Sequence, residues 1–426
     1  MPTSLFLPLA ISFALVATGL FLLNGSVIAT AVPLLLFVSV RILSLPRSNN
    51  VRFERSLDTH RVTEGDEIGV GLTMDNEGRG IALLSITDGT PAALALTDGY
   101  TQFLGRLPAG GTEAISYTVR AERGLHAFGE IRVRAWSPWG LAPHESRAFL
   151  ETDVKAHPRF EKLDPITIRP RRTRAFAGPV KANRCGQGLD FFGCRAYTPG
   201  DDVRRINWRA FARLDALIVN EYELERIADV NIILDARARS HSQLDRETTF
   251  DHAVRAAAGL AAHFLEQGNN VGLLIYGDYV QWVFPGIGRS QEERILDELA
   301  DAKLADKAVF EELRFIPTRF FPPRSQLVLV SPLVDEEDIE IAALLIDRRY
   351  SVLLVCPHSV TLAGDTPLTE DDPAVDLAKQ ILDLRRDLFL GGLAGIGASV
   401  IDWRVDEPFR VACQRIHHAR ARRYRA

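Results

Sequence analysis

The sequence predicts an α/β domain with a doubly wound sheet, preceded by an all-β sandwich-like module and an N-terminal transmembrane helical hairpin. The chain opens with two uncharged apolar runs, continues with short alternating runs between turn residues, and ends with apolar strands that alternate with helical segments. Its 426 residues give room for two or three domains. The 46% hydrophobic and 25% charged residues are globular values, which exclude a largely disordered chain and a small disulfide scaffold.

The transmembrane hairpin is predicted over residues 1–46. Residues 5–23 and 27–40 carry no charge, and the turn residues 24–26 lie between them. We expect residues 5–43 to contact a lipid bilayer. Arginines follow the second run, so both ends are expected in the cytoplasm, in a multi-pass protein of the inner membrane whose soluble domains are cytoplasmic. A cleaved signal peptide is disfavoured because no basic residue precedes the first run, and a buried core hairpin stays as the alternative.

The β module is predicted over residues 47–155. Short apolar runs such as 68–73 and 114–119 alternate with turn residues such as 75–78, and no window has a helical period. Its histidines are isolated, which is more typical of structural histidines than of metal ligands. We interpret this module as a spacer or an interaction module.

A basic linker is predicted over residues 156–225. Within it, residues 159–213 contain 13 Lys or Arg and 5 Asp or Glu, a net charge of +8 in a chain whose net charge is −5. Such a block can lie along an anionic membrane, bind nucleic acid, or pair with acidic groups of the protein or of a partner. No nucleic-acid motif accompanies it, so we expect no nucleic-acid partner and favour acidic protein groups, with the membrane second.

The most informative stretch of this block is residues 186–213. The tetrapeptide at 199–202, Pro-Gly-Asp-Asp, is typical of a tight turn that precedes a helix, because Asp caps the free N–H groups of a first helical turn. The apolar side chains Ile206, Trp208 and Phe211 are predicted to dock this short helix on a core. The arginines around it have the donor geometry for bidentate contacts with carboxylates.

This stretch resembles the domain-of-unknown-function 58 family. The family has a glycine-rich G-x-G-x-(D/E)-F start, then R-x-Y-x-P-G-D-D-x-R-x-I-(D/N)-W, then A-R. The matching positions are Gly186, Gly188, Asp190, Phe191, Arg195, Tyr197, Pro199, Gly200, Asp201, Asp202, Arg204, Ile206, Asn207, Trp208, Ala212 and Arg213. We interpret this motif as structural or as a partner interface. The resemblance covers nearly the whole chain and implies a von Willebrand factor A-like domain, over residues 226–426, and a partnership with a MoxR-type AAA+ ATPase.

In this C-terminal domain, apolar runs predicted as strands alternate with predicted helices. Strands are predicted at 230–235, 270–276 and 326–331, and a helix at 250–267. Ligands of doubly wound sheets bind at the carboxyl ends of the strands. The end of the strand at 230–235 is therefore a candidate site.

The family resemblance implies a magnesium position with the sequence D-x-S-x-S after this strand. Residues 235–239 read D-A-R-A-R, so Asp235 is kept and both serines are replaced, by Arg237 and Arg239. Guanidinium groups would repel Mg²⁺ and can pair with the carboxylate themselves. Ser331 stands where the family would place a further acidic ligand. We expect a degenerate metal-site position whose arginines replace the ion, with no metal and no cofactor; Mg²⁺ is the alternative.

These observations favour a non-enzymatic, membrane-anchored scaffold or adaptor. It would present its C-terminal domain to cytoplasmic partners in the assembly or maturation of envelope or other protein complexes. The sequence has no Walker A pattern, so ATP chemistry would come from the ATPase. The alternative is a hydrolase or a metal-dependent ligand-binding protein that uses the Asp- and Arg-rich motif. No catalytic residue is assigned, because neither G-x-S-x-G nor H-E-x-x-H is present.

Overall fold

The structure is a computed structural model of the chain. It describes residues 6–43, 50–136, 143–166, 173–241, 243–244, 247–277, 280–305, 321–323, 325–333, 336–358, 373–395 and 397–415. The chain divides into two compact units, Met1–Ala156 and His157–Ala426. The described part is mixed, with more strand than helix and several separate sheets, so the predicted fold class is wrong as a description of the chain.

Two helices open the first unit, α1 (Phe6–Phe21) and α2 (Gly25–Leu43). The 16 residues of α1 are about 24 Å long, and the uncharged part of α2, residues 25–40, has the same length, whereas a hydrocarbon core is about 30 Å thick. Within the described residues, no helix combines the length and the apolar character that crossing a membrane requires. This finding overturns the predicted transmembrane hairpin and the predicted multi-pass location in the inner membrane.

Eleven strands follow in the part of the chain described up to residue 157. They are β1 (Val51–Leu57), β2 (Arg61–Thr63), β3 (Glu67–Asn76), β4 (Ile81–Thr87), β5 (Leu94–Gly99), β6 (Gln102–Leu107), β7 (Thr112–Ala121), β8 (Gly124–Ala127), β9 (Ile131–Trp136), β10 (Pro143–Ala148) and β11 (Asp153–His157). They form three sheets, in the orders β1-β3-β7-β5, β10-β9-β4-β6 and β2-β11-β8. Alternate residues of β3, namely Ile68, Val70, Leu72 and Met74, are buried, as expected for a strand with one face on a core.

Where the sequence predicts a basic linker, the structure has two long antiparallel strands, β12 (Thr173–Ala196) and β13 (Ile218–Asp235). The pairing runs from Ala196 opposite Ile218 to Thr173 opposite Ala228. Its register shifts include bulges beside Pro179, which has no N–H to donate to a ladder. The short helix α3 (Trp208–Leu214) lies between the two strands in the chain.

The second unit continues with a mostly parallel sheet and its helices. These elements are β14 (Gln243–Leu244), β15 (Glu247–Thr248), α4 (Thr249–Glu266), β16 (Asn270–Tyr276), β17 (Val280–Gly286), α5 (Arg289–Asp301), β18 (Gln326–Val330), α6 (Glu336–Asp347), β19 (Ser351–His358), α7 (Pro373–Gly395) and β20 (Ser399–Arg404). β14 and β15 pair with each other as a separate antiparallel sheet. The larger sheet has the order β17-β16-β13-β18-β19-β20, and β12 adds to the first part of β13. Only β17 runs antiparallel to its neighbour among the strands on that path.

The central strand β13 positions the candidate site. Its residues Ile232 and Leu234 lie in the apolar cluster that includes α4, whereas Ile233 lies in a second cluster that includes α6. The next strand of the sheet along the chain, β16, pairs with one side of β13, and the later β18 pairs with the other. The chain direction across the sheet therefore reverses between β13 and β18, and such switch points leave a crevice at the carboxyl ends of the strands.

Candidate functional site

The turn at residues 199–202, which we name the motif turn, is held in place by Arg195 at the end of β12. Its guanidinium donates to both carboxylate oxygens of Asp201, at 2.7 and 2.5 Å, and its Nε donates to Glu221 of β13 at 2.7 Å. Its Nη1 also donates to the hydroxyl of Thr198 at 3.0 Å. One side chain thus ties the end of β12 to the turn and to β13, which the fork of guanidinium donors makes possible.

Asp201 is the acceptor around which the turn closes. Besides Arg195, it accepts hydrogen bonds from the amide and the hydroxyl of Thr198, at 2.8 and 2.9 Å. The bonds from Arg195, followed by the Thr198 amide, hold the pKa of Asp201 well below its usual value of 3.8. Gly200 has a φ of 111°, a left-handed value that glycine adopts without strain. The turn is therefore held in one conformation, and the Asp201 carboxyl is ionised at neutral pH.

Two capping side chains begin the helical segments after the turn. The Oδ1 of Asp202 accepts from the amide of Arg204 at 3.0 Å, at the start of a 3-10 turn. The Oδ1 of Asn207 accepts from the amide of Ala210 at 3.0 Å and begins α3. Asn207 also donates to Asn220 of β13 at 2.9 Å, which fixes the start of α3 to that strand.

The apolar side chains of this segment divide between the core and the surface. Ile206 is buried, as predicted, and it forms a β-bridge with Val219. The prediction that Trp208 and Phe211 dock on a core is wrong: Trp208 is 59% exposed, and no residue of α3 is buried. The remaining predicted motif residues are Gly186, Gly188, Asp190 and Phe191 in the backbone of β12, Tyr197 and Pro199 in the turn, and the exposed Arg204 and Arg213.

A second polar cluster lies at the carboxyl ends of β13 and β18, where the sheet switches direction. The Oδ1 of the buried Asp235 accepts from the amide and the Nε of Arg237, at 3.0 and 2.9 Å. Its Oδ2 accepts from Arg237 Nη2 and from the hydroxyl of Ser331, both at 2.8 Å. Burial alone would raise the pKa of Asp235, but the hydrogen bonds and charge of Arg237 outweigh burial and keep that pKa below 3.8. The two residues form a buried ion pair.

His241 extends this cluster towards α4. Its Nε2 lies 2.8 Å from the carbonyl oxygen of Asp235, and its Nδ1 lies 3.1 Å from the Thr249 hydroxyl. Because a carbonyl only accepts, we assign the hydrogen to Nε2, and Nδ1 then accepts from Thr249. Burial lowers the pKa of His241 below 6.5, against the opposing charge of Asp235. The imidazole is therefore neutral at pH 7.

The neutral histidines of the second unit predict that its stability falls as the pH decreases below about 6.5. Burial also lowers the pKa of His263, whose Nε2 accepts from the Ile166 amide at 3.1 Å. Both folded-state pKa values lie below 6.5, so the unfolded chain binds more protons as the pH drops through that value. We expect the melting temperature to fall on acidification below about 6.5, and less steeply in a His241→Gln/His263→Gln variant. Equal slopes in the two proteins would contradict this assignment.

The cluster does not fit Mg²⁺, the alternative for this position. Both oxygens of the Asp235 carboxylate accept from Arg237, so an ion bound there would have to displace a buried guanidinium. Among the described residues, no group of three His, Cys, Asp or Glu side chains could hold a metal ion. Arg239, the other predicted replacement, lies in a 3-10 turn directly after Arg237. The side chains present can stabilise the sheet edge, but they leave no open position for a ligand at Asp235.

Sequence reasoning missed His241 and Thr249 as partners at this position. No role beside Asp235 was predicted for either residue. The available signal was the position of Thr249 directly before a predicted helix, fourteen residues after a strand end that already carried a candidate site. Helix starts that follow the crevice of a doubly wound sheet supply side chains to it.

Comparison with known proteins agrees with the motif. Residues 193–385 match the sequence model of the family described as "Protein of unknown function DUF58". The uncharacterized protein YeaD of Bacillus subtilis (strain 168) is 22% identical over 255 residues, which cover 55% of this chain. This chain spans 58% of that relative's length.

Two solved structures each resemble a short part of the chain. A FixG-related protein from Vibrio parahaemolyticus is 8% identical, covers 26% of this chain and 98% of its own, and has a TM-score of 0.18. The cupredoxin domain of amoB from Nitrosocaldus yellowstonii is 12% identical, covers 29% and 97%, and has a TM-score of 0.19. With TM-scores this low, these similarities are not evidence for the fold or the function of the chain. The family match is stronger evidence, since residues 193–385 match the model of the DUF58 family and begin within the motif.

Proposed function

We propose that the chain is a non-enzymatic scaffold or adaptor that binds protein partners through residues 195–217, which we name the motif segment. The observation that carries this proposal is the contrast within that segment. Arg195, Asp201 and Asn207 hold the turn and the start of α3 in place, yet α3 buries none of its own residues. A fixed element that adds nothing to the core is suited to binding something outside it.

The second polar cluster weighs against a catalytic or metal-binding role at Asp235. The buried Asp235 carboxylate is paired with Arg237, and His241 is engaged by a carbonyl and a hydroxyl. A general base or a metal ligand has to present a free lone pair to its substrate or ion. This arrangement therefore weighs against the alternative of a metal-dependent protein and favours a structural role for the cluster.

The partner that we propose is a MoxR-type AAA+ ATPase, with which the chain would act in the assembly or maturation of protein complexes. The family resemblance supports this choice, and so does the absence of a Walker A pattern from the sequence, because an adaptor leaves nucleotide hydrolysis to its partner.

The direct test is binding between the purified full chain and the MoxR-type ATPase encoded in the same genome. We expect the two to co-elute in size-exclusion chromatography and the chain to change the steady-state rate of ATP hydrolysis by the ATPase. An unrelated AAA+ protein serves as the control. Separate elution together with an unchanged hydrolysis rate would contradict the proposed partner.

A further inference from the structure

The segment from the 3-10 turn to β13 carries an exposed apolar surface, which we name the motif surface. It consists of Val203, Trp208, Phe211, Leu214 and Leu217, all of them exposed. Leu214 is 65% exposed, more than Trp208. Helices of globular domains normally turn an apolar stripe towards the core. Here the large side chains of the helix face outwards, so hydrophobic burial does not explain their presence.

The apolar side chains of α3 lie on one side of the helix. Trp208, Phe211 and Leu214 are spaced three residues apart, which places them on neighbouring positions of the helix surface. The rings of Trp208 and Phe211 pack edge to face, with their centroids 6.2 Å apart. The contact limits the rotamers of both rings, so a partner would meet a largely preorganised aromatic pair.

Arginines flank this apolar stripe. Arg204, Arg209 and Arg213 are exposed, and residues 203–217 contain four arginines and one acidic residue, Asp215. Tryptophan and arginine are the residues most enriched among those that carry binding energy at protein interfaces. A ligand complementary to this surface carries carboxylates beside apolar side chains.

We propose that the motif surface binds an amphipathic protein segment in which acidic residues flank apolar anchors. This proposal rests on the proposed scaffold function and names the chemistry of its partner. Carboxylates can pair with the flanking arginines, while the apolar anchors cover Trp208 and Leu214. Nucleic acid also pairs with arginines and stacks on rings such as those of Trp208 and Phe211. The aliphatic Val203, Leu214 and Leu217 offer bases no ring, whereas apolar protein side chains can cover them as well, so a protein ligand fits the whole surface better.

The test is a titration of the full chain with a labelled helical peptide of about five turns, with Leu on one face and Glu beside it, followed by fluorescence anisotropy. We expect saturable binding that weakens with salt, and about tenfold or greater loss of affinity in both Trp208→Ser and Arg209→Glu. The matched controls are Phe149→Ser and Arg289→Glu, at exposed positions elsewhere, which should bind the peptide as the wild type does. Unchanged circular dichroism shows that each variant is folded.

Two altered peptides separate the apolar contribution to binding from the charged one. A peptide with Ser in place of Leu keeps the charge, and one with Lys in place of Glu reverses it; both should bind at least about tenfold more weakly. Four results would overturn the proposal: no saturable binding of the Glu/Leu peptide up to millimolar concentration, equal binding of the altered peptides, tighter binding of a single-stranded oligonucleotide, or self-association of the chain that Trp208→Ser abolishes.

The same variants separate this proposal from the proposed partner. If the ATPase binds the wild type and both variants equally well, the motif surface is not the interface, while the scaffold function stands. If the peptide binds as expected but the ATPase does not, the assigned surface stands and the ATPase is not its partner.

Discussion

Asp235→Ala is expected to lower the free energy of unfolding of the second unit by about 3–5 kcal/mol. The substitution removes the carboxylate from a guanidinium that is only 2% exposed, and Arg237 has little water to replace it. Ser331 loses its acceptor in the same step. The loss should be among the largest that one substitution causes here, because a buried ion pair is broken and the donors of Arg237 and Ser331 lose the carboxylate that accepts them.

Hydrogen exchange of the β13 and β18 amides in the full chain measures this free energy for the second unit by itself. Asp406→Ala is the control, since it removes a carboxylate from the exposed pair with Arg404 and should change stability by less than about 0.5 kcal/mol. A loss below about 1 kcal/mol for Asp235→Ala would contradict the assignment of a buried ion pair at this strand end.

Asp88→Ala is expected to destabilise the β module by a similar amount, about 3–5 kcal/mol. Arg55 and Asp88 form an ion pair whose two side chains are fully buried, with Arg55 Nε donating to Asp88 Oδ2 at 3.2 Å. The guanidinium lies 4.7 Å from the centre of the Phe128 ring, and the Tyr117 hydroxyl donates to Asp88 at 2.6 Å. Burial, and then the bond to Asp88, raise the pKa of Tyr117 above its usual 10.0, so this hydroxyl remains a donor.

Amide exchange in β3 and β7 reports the stability of this module. Tyr117→Phe removes one hydrogen bond and keeps the ion pair, so we expect a smaller loss of about 1–2 kcal/mol. Glu67→Ala, in the exposed pair with Arg120, should be nearly neutral. If Asp88→Ala lowers the free energy of unfolding no more than Glu67→Ala does, the buried ion pair stabilises the module no more than an exposed pair would.

Hydrophobic periodicity predicts the regular elements of the second unit well. The helix predicted at 250–267 is confirmed as α4 (Thr249–Glu266), because its apolar and alanine-rich face has a helical period and glycine follows it. The strand predicted at 270–276 is confirmed as β16 with the same bounds. These elements depend on local pattern, which a single sequence contains.

Long-range pairing is not visible in a local pattern. Residues 173–196 are basic and glycine-rich and lack a clear alternation, so they read as a linker, yet they pair along β13 as β12. In the same way, Arg237 was predicted beside Asp235 because the two are two residues apart. Ser331 is 96 residues away, so only the family resemblance placed it at this site, and its hydrogen bond to Asp235 was not predicted.

The outward orientation of Trp208 has a related explanation. An apolar side chain after a helix cap indicates that something covers it, but the sequence does not distinguish the protein's own core from a partner. The cap by Asp202, which acts within two residues, was predicted from the Pro-Gly-Asp-Asp turn, whereas the cap by Asn207 was not. Local chemistry thus predicted a capped segment after residue 202, and the structure was needed to show that α3 begins at Trp208 and which way its side chains face.

We claim that the motif segment is a binding surface for protein partners. The most direct measurement is hydrogen–deuterium exchange of the full chain, alone and with the MoxR-type ATPase, read by mass spectrometry. The claim predicts slower exchange on binding in peptides that cover residues 203–217, with no comparable change at the carboxyl end of β13 around Asp235. Protection at Asp235 with unchanged exchange over residues 203–217 would contradict it.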